Sequence, residues 1–155
     1  MADAATVTIS ATLLPDEIAK AFSGSMTVTP ADSSEKWYYK LTSCTATSTD
    51  LIAGAFLDYT PVDDDTSPTA IAPASDLVKF LYVENVDSDD GVYIRFDAGT
   101  AAHSTAENLF IGPGQAWFGQ LPFTLVGSIH AISADIAGTG GAPVNLIVAA
   151  IIKDV

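Results

Sequence analysis

Cysteine, histidine and positive charge are all scarce in this chain of 155 residues: one cysteine, Cys44, two histidines, His103 and His130, and six lysines and arginines together. A single thiol excludes an intrachain disulfide and any cysteine-based zinc site, so Cys44 is expected to act as a small buried hydrophobe. Six basic residues against 19 acidic ones leave a net charge of −13. A field of that sign repels phosphate backbones and anionic headgroups, which excludes nucleic acid and membrane surfaces as partners. Long hydrophobic runs are missing too: the longest, Leu146 to Ile152, has seven residues, far short of a membrane span. The opening "MADAATVTIS" carries Asp3 where a secretory signal would be positive and has no continuous apolar core. The chain is therefore expected to be made and kept in a reducing cytoplasm, unless it leaves inside or on something larger.

Groupings that carry chemistry are equally sparse. No Gly-x-Ser-x-Gly elbow, His-Glu-x-x-His pair or Walker loop occurs. His103 lies in the polar stretch "GTAAHSTAEN", and His130 lies in "SIHAIS", facing away from Ile129 and Ala131. Most carboxylates fall in turns, where Asp side chains bond their own backbone. "DSDDG" at 87–91 resembles the first half of a calcium loop, but the position due to supply the bidentate acid is Ala98. The run Asp63-Asp64-Asp65 offers weak cation binding at most. No catalytic, cofactor-binding or metal-ligating residue is assigned; a hydrolase using clustered carboxylates would need two acids converging in a cleft.

The chain is, however, rich in strand formers. With 48% hydrophobic and 16% charged residues it can bury a core, and its length suits one domain spanning 1–155. "ATVTISATLL" and "GSMTVTP" alternate with period two, and most other segments are β-branched or aromatic runs broken by Gly, Pro, Asp, Ser and Thr. One short helix is allowed at 15–22, "PDEIAKAF", where Pro15, Asp16 and Glu17 suit a helix start. A long Pro- and Asp-rich loop is expected around 58–76. "LVKFLYVENV-DSDDG-VYIRF" reads as a hairpin turning at Asp90-Gly91, and "LFIGPGQAWFG" as a second one turning at Gly112 to Gly114. The fold predicted is an all-β, single-domain β-sandwich, jelly-roll-like, with the last strand inside a sheet.

Aromatic residues are what remains for function. Alternation in "KWYYK" puts Trp37 and Tyr39 on one face and Tyr38 on the other, so something outside the core is covered. Together with Phe110, Trp117 and Phe118 these rings are the candidate interface residues. A sugar-stacking platform built on Trp37 to Tyr39 or Trp117 is the competing use.

The series "TVTISATLLPDEIAKAFSGSMTVTPADSSEKWYYK", "VKFLYVENVDSDDGVYIRFDAGTA", "NLFIGPGQAWFGQLP", "IHAISAD" and "NLIVAAIIKDV" resembles the small abundant virion structural proteins of marine tailed bacteriophages, notably those infecting cyanobacteria. The resemblance covers nearly the whole chain. It implies a non-enzymatic virion protein assembled in the host cytoplasm, without cofactor. The role it points to is a capsid decoration (cement) protein bound to the major capsid protein or other virion proteins; the alternatives are a neck, tail or fibre component, or a glycan-binding module on the virion surface. A homotrimer is the oligomer it implies, because cement proteins often sit where three capsomers meet.

Overall fold

The computed structural model describes residues 4–13, 20–56, 70–97, 109–134 and 143–155. The sequence reading treats 1–155 as one domain; contacts divide the chain into two compact units, Met1–Ser33 and Ser34–Val155. In the first unit, β1 (Ala5–Leu13) and β2 (Lys20–Val28) pair antiparallel from Ala5↔Val28 to Leu13↔Lys20. This corrects the helix expected at 15–22 for its last three residues. Lys20, Ala21 and Phe22 are strand, because a Thr-rich, β-branched partner offers them a full ladder and a two-turn helix cannot repay its nucleation. Residues 14–19 lie outside the described residues.

Among its described residues the second unit holds eight strands: β3 (Glu35–Cys44), β4 (Thr49–Asp50), β5 (Leu77–Asn85), β6 (Gly91–Phe96), β7 (Leu109–Ile111), β8 (Ala116–Leu125), β9 (Ile129–Ala134) and β10 (Val144–Lys153). They form two antiparallel four-stranded sheets, in the orders β3-β10-β5-β8 and β4-β9-β6-β7. The all-β reading holds, and the terminal strand β10, with its seven-residue apolar run, lies inside a sheet between β3 and β5. One hydrophobic cluster joins the sheets: Tyr38, Val83, Leu146 and Val148 from the first meet Val92, Ile94, Ile129 and Ala131 from the second.

Both expected hairpins are corrected. The turn after β5 leads from the first sheet into the second, and the Gly-Pro-Gly turn after β7 leads back. Neither pair of flanking strands is hydrogen-bonded together; each folds over so that both inner faces reach the shared core. Asn85, fully buried, ties the two crossings to each other. Its amide nitrogen donates to Asp90 O at 2.9 Å, Gly112 O at 3.1 Å and Ile111 O at 3.4 Å, while its Oδ1 accepts from Asp87 N at 3.0 Å. Backbone bonds from Gly114 N to Asp87 O and from Asn85 N to Gln115 O complete the joint. Pro113 followed by Gly114 at φ 64° supplies the arrangement a type II turn needs.

Of the expected loop at 58–76, residues 58–69 lie outside the described residues, but its end is anchored. Ile71 enters the core, and buried Asp76 accepts from Ala72 N at 2.7 Å and from Val155 N at 3.3 Å.

Candidate functional site

The strand registers place side chains in rows across the outer face of the β3-β10-β5-β8 sheet. One row reads Tyr39, Ala149, Tyr82, Phe118; the next toward one end is Leu41, Ile147, Glu84, Ala116, and toward the other Trp37, Ile151, Phe80, Gln120. This is an aromatic and aliphatic surface across four strands. Leu41 is 59% and Tyr39 56% exposed, whereas Ile151 and Phe80 in the third row are buried, Phe80 with its ring edge-on to Trp37 at 6.5 Å. The face carries two carboxylates, Glu35 and Glu84, and two ammonium groups, Lys79 and Lys153. Its formal charge is zero (2 − 2) on a chain of −13. Lys79 Nζ holds Glu35 Oε2 at 2.7 Å, and Tyr82 donates its hydroxyl to Glu84 Oε2 at 2.8 Å. Burial, then the hydrogen bond to Glu84 and its charge, push the Tyr82 phenol up to about 12, so it stays neutral.

Edge strand β8 adds a second feature. The register with β5 shifts between Val78/Thr124 and Phe80/Gln120, leaving Leu121, Pro122 and Phe123 opposite Lys79 alone. Such a bulge with a proline blunts an edge against further strand pairing. Phe123 takes φ 53° and is 47% exposed; among the described residues it is the one non-glycine with positive φ. A bulky residue held there costs about 1–3 kcal/mol, a strain that clusters at binding positions.

The six candidate interface residues do not share one surface. Trp37, Tyr39 and Phe118 lie on the outer face just described. Tyr38 points inward and is buried, its hydroxyl donating to Ala53 O at 3.3 Å. Trp117 is partly buried against the core, with Phe96 at 6.0 Å. Phe110 stands on the outer face of the other sheet, 5.2 Å from the Tyr93 ring. Leu41 and Tyr82 belong to this face and Phe123 to the bulge of β8; all three escape sequence reading. The alternation of "KFLYVE" could have found Tyr82, but nothing in a sequence marks a phenylalanine for positive φ.

Catalytic candidates are dispersed. Cys44 is wholly buried, and burial pushes its thiol up to about 11, so at neutral pH it is a protonated hydrophobe. Asp87 Oδ1 accepts from Asp89 N at 2.9 Å and Asp90 N at 3.0 Å, hydrogen bonds that hold its carboxyl below the usual range and fix the turn. His130 pairs with Asp50, Nδ1 to Oδ1 at 3.2 Å. Among the described residues no three histidine, cysteine or acidic side chains converge on a point that could hold a metal ion. His103 and the Asp63–Asp65 run lie outside the described residues. No protein-family model, curated protein or solved structure matches this chain.

Proposed function

We propose that the chain is a non-enzymatic structural protein of a phage particle, a capsid decoration protein that docks on the major capsid protein or its neighbours through the outer face of the β3-β10-β5-β8 sheet. The observation that carries this reading is the charge-neutral row Tyr39, Ala149, Tyr82, Phe118 with exposed Leu41 beside it, on a molecule that is otherwise strongly acidic. Apolar area without net charge is what a protein partner can approach without long-range repulsion. The remaining acidity keeps a crowded particle surface soluble.

Three strand spacings and four residues of strand make this face about 14 Å by 14 Å, well below the roughly 800 Å² per partner of a standard stable interface. A single contact of that size is weak. Many copies on a symmetric shell, or a homotrimer seated where capsomers meet, turn weak contacts into a lasting coat. We further propose that the second unit is a jelly roll. Its support is the strand order: counted from β3 as first, the sheets read first-eighth-third-sixth and second-seventh-fourth-fifth, an architecture used by viral shell and lectin domains. Fold alone does not assign a role, so the docking face bears the functional claim.

The test is to add the purified chain to particles lacking it and count bound copies by mass spectrometry. Wild type is expected to bind at a fixed stoichiometry, and Tyr39→Glu with Leu41→Lys, both on exposed side chains, to lose binding while folding normally. Equal binding by the double variant refutes the proposed face, and absence of the chain from natural particles refutes the function.

A further inference from the structure

The first unit is a two-stranded ribbon. Among the described residues β1 and β2 pair only with each other, through nine residues of each strand. A lone ribbon is marginally stable at best in water; three or more strands with an apolar face are needed for independent stability. The two faces of this one differ. Ala5, Val7 and Ile9 share one face with Val28, Met26 and Gly24, whereas Thr6 and Thr8 share the other with Thr27 and Ser25. These four hydroxyl residues are exposed, as a wet face allows. On the apolar face Val28 is buried and Val7 and Met26 are half-buried, but Ile9 is 50% exposed. Elsewhere the molecule guards its strand edges: β4 and β7 have only two and three residues, and β8 bulges around Pro122. β1 has no such device, running nine residues without charge, proline or register shift. Across both strands the one charged residue is Lys20. Copies of a chain at −13 repel one another over most of their surface, and this ribbon is where they meet without opposing carboxylates.

We infer that the ribbon is a self-assembly element: the β1 edge of one copy pairs antiparallel with the β2 edge of the next, and three copies close into a barrel with Val7, Ile9 and Met26 around its axis. Other pairings leave polar edges or apolar surface open. Two β1 edges joined about a two-fold make a four-stranded sheet whose outer edges and apolar face stay open, and two ribbons stacked face to face keep every edge open. Head-to-tail closure gives each edge a partner and turns the apolar face inward. Size selects the number of copies. With strands about 4.8 Å apart and tilted about 40°, two, three and four ribbons close barrels about 8, 12 and 16 Å across. Packed β layers stand about 10 Å apart. Two copies leave no room for Ile9 and Met26, and four leave an axis that Val7, Ile9 and Gly24 cannot fill. Three copies fit, with Gly24 paired to Ile9 giving the alternation of small and large that a small barrel interior needs.

The inference does not rest on the docking face, since it concerns the first unit and is tested on the free chain. Light scattering and sedimentation equilibrium on the purified full-length protein at tens of micromolar are expected to give three chains per particle. Ile9→Lys, at an exposed side chain, sets three ammonium groups around the axis and raises the concentration needed for assembly by about tenfold or more. Thr8→Lys, one residue along on the hydroxyl face, leaves assembly unchanged. Hydrogen exchange reads the edge itself. In an antiparallel ladder alternate residues of β1 turn their N–H groups away from β2, and those amides are expected to be protected in wild type. Both wild-type readings stand whether or not the Ile9→Lys ribbon keeps its ladder. Tyr39→Glu with Leu41→Lys stays trimeric, so failure of the docking face and failure of the ribbon are told apart. A monomeric or dimeric wild type, unchanged assembly in Ile9→Lys, dissociation by the Tyr39/Leu41 double variant, or fast exchange at every second β1 amide of wild type overturns the inference.

Discussion

Replacing Asn85 by aspartate keeps the size and shape of a fully buried side chain and reverses its hydrogen-bonding sense. The native amide nitrogen donates to three carbonyls, Asp90 O, Ile111 O and Gly112 O, and Oδ1 accepts from Asp87 N. In Asn85→Asp the new carboxylate retains the acceptor and sets its second oxygen against those carbonyls. Each buried group left unsatisfied costs about 1–3 kcal/mol, and the carbonyls share one donor group, so about 3–5 kcal/mol is lost rather than the sum of three full penalties. That is a large fraction of the roughly 5–15 kcal/mol that holds a domain folded. The penalty depends on pH in a defined direction. Burial and the facing carbonyls raise the folded-state pKa of the introduced carboxyl above its unfolded value, since the protonated acid can donate one bond. The variant is therefore least destabilised below the unfolded pKa and loses stability as pH rises through the folded one. Urea unfolding followed by tryptophan fluorescence at several pH values reads both the size and the slope. A loss under about 1 kcal/mol with unchanged m, or a penalty that shrinks as pH rises, refutes the assignment of Asn85 as the tie between the two sheet crossings.

Three further outcomes are expected. Cys44, buried with its thiol pushed up to about 11, resists iodoacetamide at neutral pH in the folded chain and reacts stoichiometrically in urea; labelling of the native protein within minutes, read by intact mass, contradicts its placement. In an absorbance titration at alkaline pH, Tyr82 ionises near 12 while burial also raises Tyr38, and Tyr82→Phe removes the step near 12. Because its folded pKa lies above the unfolded one, Tyr82 contributes stability below about 10 that is lost as pH rises toward 12. Gly114→Ala, at φ 64° with open space around it, costs about 1–2 kcal/mol from backbone strain alone, and Gly114→Asn costs less; equal stabilities in denaturant melts contradict the turn assignment.

What a sequence reveals in advance follows from the range of the interactions. Period-two alternation and continuous apolar runs are both local, so the strands at Ala5–Leu13 and Glu35–Cys44 are visible in the first and those at Leu77–Asn85 and Val144–Lys153 in the second; alternation also sets Tyr38 on the face opposite Trp37 and Tyr39, and the structure makes that face the inner one. Turn chemistry is local too. Asp90-Gly91 and Gly112-Pro113-Gly114 do mark turns, but a turn signal cannot say whether its flanking strands pair with each other or fold into facing sheets. That choice rests on Asn85, whose partners lie up to 27 residues away. Phe22 reads as helical in an acidic, Pro-led segment because its strand partner Ala11 belongs to the preceding element. The outer-face row is half legible: Tyr39 and Phe118 stand out as surplus aromatics, but their alignment with Tyr82 needs the order β3-β10-β5-β8, which no single segment encodes. Gly91 reads as a turn former alone; its role as a seat for Phe110 emerges when β7 pairs with β6.

The most direct test of the proposed role is a cryo-electron microscopy map of the source particle at a resolution that traces strands. The account predicts an eight-stranded unit at regular positions on the shell, with Tyr39, Leu41, Tyr82 and Phe118 against a neighbouring virion protein and the Phe110 face turned outward. A map in which the particle carries no copy of this chain, or in which that sheet faces solvent and another surface makes the contact, contradicts it.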